Sequence, residues 1–201
     1  MDDFEMAAIP GPLRWINDPL SWQLAADGAL AIEAGPETDW FADPATNVVK
    51  DDAPAALFTT AEEHFVLSAR VTVPFASTFD AGVLQLRAAE NLWGKLCFEF
   101  SPQGQPMIVS VVTRGRSDDC NSTVIDGNQV YLRLARLGQT FAFHYSEDGR
   151  TWPLVRYFTL GPVEKLLVGF SSQSPTGRGC RSRFSAITYA PGQLKDIRSG
   201  E

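Results

Sequence analysis

The sequence predicts an all-β protein, an antiparallel two-sheet β-sandwich of the jelly-roll type, formed by a single domain over residues 1–201. Apolar and polar residues alternate with a period of two along many short segments, which is the pattern of half-buried strands. Turn sequences such as Asp126-Gly127 and Asp148-Gly149 separate these segments. No segment shows the periodicity of an amphipathic helix. Many short strands joined by tight turns are typical of a sandwich.

The strand signals dominate from Glu63 onward. From Phe65 to Val73 every odd position is apolar, whereas Ser68, Arg70 and Thr72 are polar. The other predicted strands show the same alternation or a short β-branched and aromatic run. They are residues 82–87, 95–100, 107–114, 130–137, 140–146, 154–159, 166–172 and 183–189.

The two strands in the middle of the chain predict both a buried face and a polar face. Their apolar positions are expected between the sheets: Leu84, Leu86, Leu96, Phe98 and Phe100. Their polar positions point to the opposite side if the strands are adjacent: Gln85, Arg87, Lys95 and Glu99. Such residues can simply face solvent. They can also form a recognition surface, in which Arg and Lys donors and a Glu acceptor bind a polyhydroxylated or anionic ligand.

Residues 35–60 hold three prolines and little periodicity, and predict a long excursion that caps one face. Within it, Trp40 is the best candidate for an exposed platform on which a sugar ring packs. Glu37 and Asp39 have a spacing that would suit a glycosidase pair if they lay on a strand, but the neighbouring prolines favour a loop. Whether oxygen ligands in residues 43–52 bind calcium stays open.

Composition narrows the function classes. The net charge is −7, and no basic face predicts binding to nucleic acid or to an anionic membrane. The N-terminus lacks the pattern of a signal peptide. Three cysteines without a CxxC pair (Cys97, Cys120 and Cys180) predict reduced thiols and a cytoplasmic protein.

The sequence has no phosphate loop, nucleophile elbow or metal-ligand spacing, so no cofactor or metal is predicted. The two histidines are interpreted as structural. Trp152 follows a hairpin and is expected to anchor that turn.

Several segments, in this order, resemble the concanavalin A-like proteins of the regulation-of-enolase type, a family long described as a domain of unknown function. They are Trp15-Ile16-Asn17-Asp18-Pro19 with Trp22; Gly35-Pro36-Glu37-Thr38-Asp39-Trp40; Ala81-Gly82 with Leu84 and Arg87; Asn91-x-Trp93-x-Lys95-x3-Glu99; Val111-Val112-Thr113-Arg114 with Ser117-Asp118; the Asp148-Gly149-x-Thr151-Trp152 hairpin; and Ser174-Pro175-x-Gly177-x-Gly179. The resemblance extends from Trp15 to about Tyr189 and implies a concanavalin A-like sandwich.

The chain departs from this family at two positions. Asp119, followed by Cys120, stands where relatives often have Trp after Ser-Asp. Cys97 stands where relatives often have Gly. If that Trp contributes to a ligand site, the ligand of this protein differs from that of its relatives.

The polar face and the resemblance converge on one predicted ligand-binding set: Asp39, Trp40, Arg87, Lys95, Glu99, Arg114 and Asp118. The leading hypothesis is a ligand-binding protein whose small-molecule ligand is a carbohydrate or a small anionic metabolite. One alternative is a sugar-active enzyme with Glu99, or the pair Glu37 and Asp39, as acid and base. The other is a regulatory protein whose partner is a metabolic enzyme. Because fold alone does not fix function, the three hypotheses stay open at this point.

Overall fold

The computed structural model describes residues Met1–Glu201 and contains sixteen strands and no helix. In chain order the strands are β1 (Arg14–Ile16), β2 (Ser21–Leu24), β3 (Leu30–Ala34), β4 (Trp40–Ala42), β5 (Val49–Asp51), β6 (Ala55–Thr60), β7 (His64–Thr72), β8 (Ala81–Ala89), β9 (Leu92–Phe100), β10 (Pro106–Arg114), β11 (Arg116–Val124), β12 (Gln129–Leu137), β13 (Thr140–Ser146), β14 (Leu154–Thr159), β15 (Leu166–Gln173) and β16 (Cys180–Pro191).

Two antiparallel sheets of seven strands pack face to face, which confirms the predicted sandwich. The strand order is β1-β6-β15-β8-β9-β10-β11 in the first sheet and β14-β13-β12-β7-β16-β3-β2 in the second. The strands β8 to β11 are consecutive hairpin neighbours, whereas β15 returns late in the chain to pair with both β6 and β8. The remaining strands, β4 and β5, form a separate hairpin. We call residues 37–54, which contain this hairpin, the cap.

The core between the sheets is one cluster of 31 buried apolar residues. Leu84, Leu86, Leu96 and Phe98 are fully buried in it, as the alternation predicts. Phe100 is only half-buried, which corrects its predicted place in the core. It is the last residue of β9, and its ring stacks on Phe75 at 5.3 Å between centroids, at the margin of the sandwich.

The predicted excursion is too long at its C-terminal end. Ala55–Thr60 forms β6, a strand of the first sheet paired with β1 and β15. Five of its six residues are buried, so both faces of the strand lie away from solvent. A strand that is buried on both faces has no alternation of polar and apolar residues, and the pattern therefore missed it.

The alternation pattern also missed strand β11, because its residues are polar on both faces. Arg116–Val124 is polar at nearly every position and mostly exposed. It pairs on one side only, with β10, and so forms an edge of the first sheet. Edge strands commonly carry polar and charged residues, because these discourage pairing with another chain. Polarity therefore hides β11 from a pattern based on alternation.

Since the structure is formed of strands, it offers no helix that could span a membrane. The three cysteines are free thiols, with Cys97 and Cys180 buried and Cys120 exposed. Burial raises the pKa of the Cys180 thiol to about 11. A buried thiol with a raised pKa is protonated and therefore unreactive at neutral pH.

Candidate functional site

The outer face of the first sheet carries polar side chains whose placement follows from the strand register. Gln85 of β8 pairs with Lys95 of β9, Lys95 pairs with Val111 of β10, and Val111 pairs with Asp119 of β11. Directly paired residues point to the same face of a sheet. Glu99 lies four residues after Lys95 and shares that face. The strand register thus places the predicted polar side chains together, and β11 adds a carboxylate to them.

Loops rise around this face and enclose a cleft of about 350 Å³. Phe41 of the cap and Phe79, from the connection between β7 and β8, lie on its rim. Pro102, from the turn after β9, and Pro175, after β15, complete the apolar part of the rim. Small-molecule sites occupy about 300–1,000 Å³ and combine apolar walls with a few placed polar groups. The cleft has the size and lining of such a site.

Lys95 is the cation of the cleft floor, and two of its three N–H groups have partners in the protein. Its Nζ donates to Asp39 Oδ1 at 2.8 Å and to Gln173 Oε1 at 2.9 Å. The side chain of Lys95 is 3% exposed and that of Asp39 is 17% exposed. Burial lowers the pKa of Lys95, but the attraction of Asp39 and other acidic groups outweighs it and raises the pKa overall. Lys95 therefore stays charged, and its ammonium group is paired with the carboxylate of Asp39.

Glu99 also lines the cleft, and no cation lies within ion-pair distance of it. Its only hydrogen bond is accepted at Oε2 from Gln173 Nε2, at 3.5 Å. Burial raises the pKa of Glu99 to about 8; Lys95 opposes this, and the negative charges of Asp39 and Asp119 add to it. The carboxyl group of Glu99 therefore favours its protonated form near neutral pH.

Asp119 reaches the cleft from the edge strand. The residue is exposed as a whole, yet partial burial of its carboxyl group raises its pKa, against the attraction of Lys95. Asn121, two residues further along β11, lies on the same face and also lines the cleft. The position where relatives often carry Trp is thus a cleft position in this chain.

Phe79 adopts a backbone conformation that L-residues rarely take, with φ of 69°. Its N–H donates to Phe100 O at 2.7 Å, and its carbonyl oxygen accepts from Gln173 Nε2 at 3.4 Å. A bulky residue in the left-handed region costs about 1–2 kcal/mol. Such residues persist where the surroundings fix them, and they cluster at functional sites.

The cap lies flat on the outer face next to the cleft, and this corrects the prediction that Trp40 is exposed. Trp40 is 1% exposed. Its Nε1 donates to Ala53 O at 2.8 Å, and its ring meets that of Trp93 edge-on at 6.1 Å. The guanidinium of Arg87 lies over the same ring at 5.0 Å. Trp40 and Arg87 therefore hold the cap on the sheet and do not line the cleft.

Gln85 is the polar residue of the outer face that the structure leaves without partners. It is fully buried, and neither its Oε1 nor its Nε2 has a hydrogen-bond partner. A buried amide without partners costs about 1–3 kcal/mol. Gln85 is absent from the cleft lining although its strand neighbour Lys95 is part of it.

The structure separates two predicted site residues from the others. Asp118 accepts at Oδ1 from Arg156 Nη2, at 2.6 Å, and so ties the edge strand to β14 of the second sheet. Arg114 is exposed and donates to Thr159 O at 3.1 Å. Both residues connect the two sheets at their margin, away from the cleft. Asp118 points to the opposite face from Asp119, because neighbouring residues of a strand alternate between faces. Arg114 is the last residue of β10.

Three further sequence hypotheses concern residues that lie outside the cleft lining: Glu37, the 43–52 loop and Trp152. Glu37 is exposed and lies outside the cleft lining, so it forms no cleft pair with Asp39. In the 43–52 loop, Asp43 Oδ1 accepts from the backbone of Ala45 and Thr46, and no group of three or more acidic, histidine or cysteine side chains is arranged for a metal. Trp152 packs under the guanidinium of Arg133, at 3.5 Å, on the outer face of the second sheet.

Sequence reasoning missed several cleft residues. Gln173 joins Lys95 to Glu99, yet it ends a strand whose alternation marks only core positions. Its neighbours Pro175 and Thr176 lie in a loop that the family resemblance singled out, and this was the available signal. Phe41 and Phe79 carry no signal of their own, because only the folded chain brings the two loops together.

Known proteins share this architecture. A family model described as "Protein of unknown function (DUF1349)" matches residues 15–192. The protein named "Regulation of enolase protein 1" of Saccharomyces cerevisiae is 28% identical over 173 residues, 85% of this chain and 85% of that protein. A crystal structure of a functionally unknown protein from Saccharomyces cerevisiae is similar with a TM-score of 0.82 and 26% identity, covering 90% of this chain and 97% of that one.

A more distant structural neighbour belongs to a larger protein. The GH43 protein BlXynB of Bacillus licheniformis, in a K247S mutant, is similar with a TM-score of 0.74 and 14% identity. The match covers 95% of this chain but only 38% of that one. At this identity the similarity concerns the fold alone.

Proposed function

The chain belongs to the DUF1349 family, and we propose that this member is a binding protein for a neutral carbohydrate, held in the cleft on the outer face of the first sheet. The observation that carries the proposal is the lining itself: hydrogen-bonding groups on the floor, and aromatic and proline side chains on the rim. Sugars present the same combination, hydroxyl groups at the edge of the ring and C–H groups on its faces.

The charge of the cleft favours a neutral ligand over an anionic one. Lys95 is the only cation among the lining residues, and Asp39 already pairs with it. Asp119 adds an acidic group, and no cation in the cleft is left to bind a phosphate or a carboxylate. An anionic metabolite would therefore lose its hydration without gaining a counter-charge.

The rim supplies the apolar contact. Phe41 belongs to the cap and Phe79 to the connection before β8, so two separate segments of the chain supply the aromatic rings. The strained backbone of Phe79 agrees with a position fixed for contact with a ligand. We keep the cytoplasm as the proposed compartment, on the ground of the three thiols.

Isothermal titration calorimetry with glucose, cellobiose and glucose 6-phosphate tests the proposal. We expect a neutral sugar to bind in the micromolar to millimolar range, about −8 to −4 kcal/mol, and the phosphorylated sugar to bind more weakly or not at all. Phe79→Ala should weaken the binding, whereas Tyr157→Ala, an exposed aromatic on β14 of the second sheet, should not. Preference for glucose 6-phosphate, or no binding by any neutral sugar, would contradict the proposal.

A second candidate is a regulatory protein that binds a metabolic enzyme, in line with the name of the yeast relative. Val48 and Val49, next to each other at the tip of the cap hairpin, are 57% and 56% exposed and give an apolar contact point. Binding of purified enolase to the wild type, but not to a Val48→Ser/Val49→Ser variant, would favour this candidate over the first.

A further inference from the structure

We propose that Glu99 is the hydrogen-bond donor of the cleft: a neutral carboxylic acid whose Oε1–H is presented to a bound sugar and donates to one of its oxygens. The identity of the ligand rests on the proposed function; the protonation of Glu99 and its orientation do not. Lys95 orients the amide of Gln173, and Gln173 in turn orients the carboxyl group of Glu99.

Lys95 determines which way the amide of Gln173 points. An ammonium group can only donate hydrogen bonds, so the atom of Gln173 that faces Lys95, at 2.9 Å, must be the oxygen. The amide nitrogen is then on the other side, where it contacts Phe79 O and Glu99 Oε2. The carbonyl of Phe79 can only accept, which agrees with this orientation.

Gln173 in turn determines which oxygen of Glu99 carries a proton. Because Gln173 Nε2 donates to Oε2, that oxygen acts as the acceptor, and the proton of the neutral acid belongs on Oε1. Oε1 has no hydrogen-bond partner in the protein, yet it is not among the buried atoms that lack one. It therefore opens to the cleft, which Glu99 lines.

The charges around Glu99 keep the acid neutral. Lys95 and Cys97 face it from its own strand, Asp39 faces it from the cap and Asp119 from β11. The single cation is bound to Asp39, so the two carboxylates leave no net positive charge for Glu99. Burial and the nearby carboxylates raise the pKa of Cys97 well above its usual value, so the thiol stays neutral as well.

This arrangement sets which hydrogen bond Glu99 can form with a ligand. A carboxylic acid that presents O–H donates to an oxygen with a free lone pair. In a neutral sugar the hydroxyl, ring and glycosidic oxygens all meet this condition. A carboxylate at the same place could only accept, so the neutral acid adds a donor to the cleft.

A titration that needs no ligand tests the donor. The ¹³C shift of the Glu99 carboxyl group is followed against pH in protein labelled at glutamate side chains and assigned with Glu99→Gln. We expect a midpoint near pH 8, because burial and neighbouring carboxylates oppose ionisation. A midpoint near the ordinary value of 4.5 would overturn the inference, whatever the ligand is.

Cellobiose binding, measured from pH 6 to pH 10, tests the contact. Wild-type affinity should fall as pH rises above 8, by about tenfold or more at pH 10, because ionised Glu99 has lost its donor. Glu99→Gln should bind with constant affinity, because Gln173 orients the new amide with its NH₂ toward the cleft. Glu99→Met, which lacks a donor, should bind about tenfold more weakly.

The outcomes separate this inference from the proposed function. If Glu99→Met binds cellobiose like the wild type, Glu99 does not contact the sugar, and the inference fails while the proposed function stands. If no neutral sugar binds the wild type, the proposed function fails, and the carboxyl titration still decides whether Glu99 is a donor. Cleavage of cellobiose that stops in Glu99→Gln would support the donor and replace binding with catalysis.

Discussion

At the scale of single residues, the buried pair of Lys95 and Asp39 joins two parts of the molecule that are far apart in the chain. Lys95 belongs to the sheet and Asp39 to the cap, and Lys95 Nζ lies 2.8 Å from Asp39 Oδ1. Removing one partner of a buried pair leaves an uncompensated charge and costs about 3–5 kcal/mol.

We therefore expect Lys95→Met to lower the free energy of unfolding by about 3 kcal/mol, with partial recovery in Lys95→Met/Asp39→Asn. The double variant no longer contains an unpaired carboxylate, so the two changes should differ from additivity by about 1–3 kcal/mol. Urea denaturation of the wild type, Lys95→Met, Asp39→Asn and the double variant measures this. Arg181→Met, which breaks the exposed pair with Glu33, is the control and should change stability much less. Additive effects of Lys95 and Asp39 would contradict a functional link between cap and floor.

At the scale of structural elements, the cap depends on Trp40. The indole packs against Trp93 and Arg87 and closes the cap through Ala53. Other hydrogen bonds also hold the cap: the hydroxyl of Ser117 accepts from the backbone of Ala42 at 2.9 Å, and Arg116 Nη2 donates to Asn47 Oδ1 at 2.6 Å. Trp40 is thus the main apolar contact of a small unit that hydrogen bonds also attach to the sheet.

Trp40→Ala should destabilise the protein by about 3–5 kcal/mol and should release the cap locally. Hydrogen exchange followed by mass spectrometry should show faster exchange in residues 39–53, while β9 stays protected. Trp152→Ala is the matched control, since it removes a buried Trp from the second sheet, and it should leave exchange in the cap unchanged. A uniform loss of protection in Trp40→Ala would show that the cap is not a separate unit.

The elements also show how far the sequence can be used to predict this molecule. Alternation located Lys95, Glu99 and the core residues opposite them, because strand geometry alone assigns their faces. It could not place Trp40, whose burial depends on Trp93 in a distant strand, and it could not find Gln173 at a strand end. Contacts across loops are not encoded in any local period, so the walls of the cleft had to come from the structure.

At the scale of the whole molecule, the neutral state of Glu99 links stability to pH. Below pH 4.5 both the folded and the unfolded chain hold the proton, and the contribution is complete. Between pH 4.5 and about 8 the unfolded chain loses the proton while the folded protein keeps it. The free energy of unfolding therefore falls as pH rises through this window, by at most about 5 kcal/mol from this residue at about 1.4 kcal/mol per pH unit.

Glu99→Gln should remove this part of the pH dependence and should make the protein more stable than the wild type at pH 8. Urea denaturation at pH 5, 6.5 and 8 measures the difference between the two proteins. Glu147→Gln changes an exposed carboxylate and should keep the slope of the wild type. An unchanged slope in Glu99→Gln would mean that Glu99 is ionised in the folded protein.

The central claim is that a neutral sugar binds in the cleft on the first sheet. Mapping of chemical-shift changes in ¹⁵N-labelled protein during a titration with cellobiose tests it most directly. The account predicts that the side-chain amides of Gln173 and Asn121 and the backbone amides of Phe41 and Phe79 shift together with a common dissociation constant. Shifts confined to the second sheet around Trp152 and Arg133, or no shifts at millimolar sugar, would contradict it.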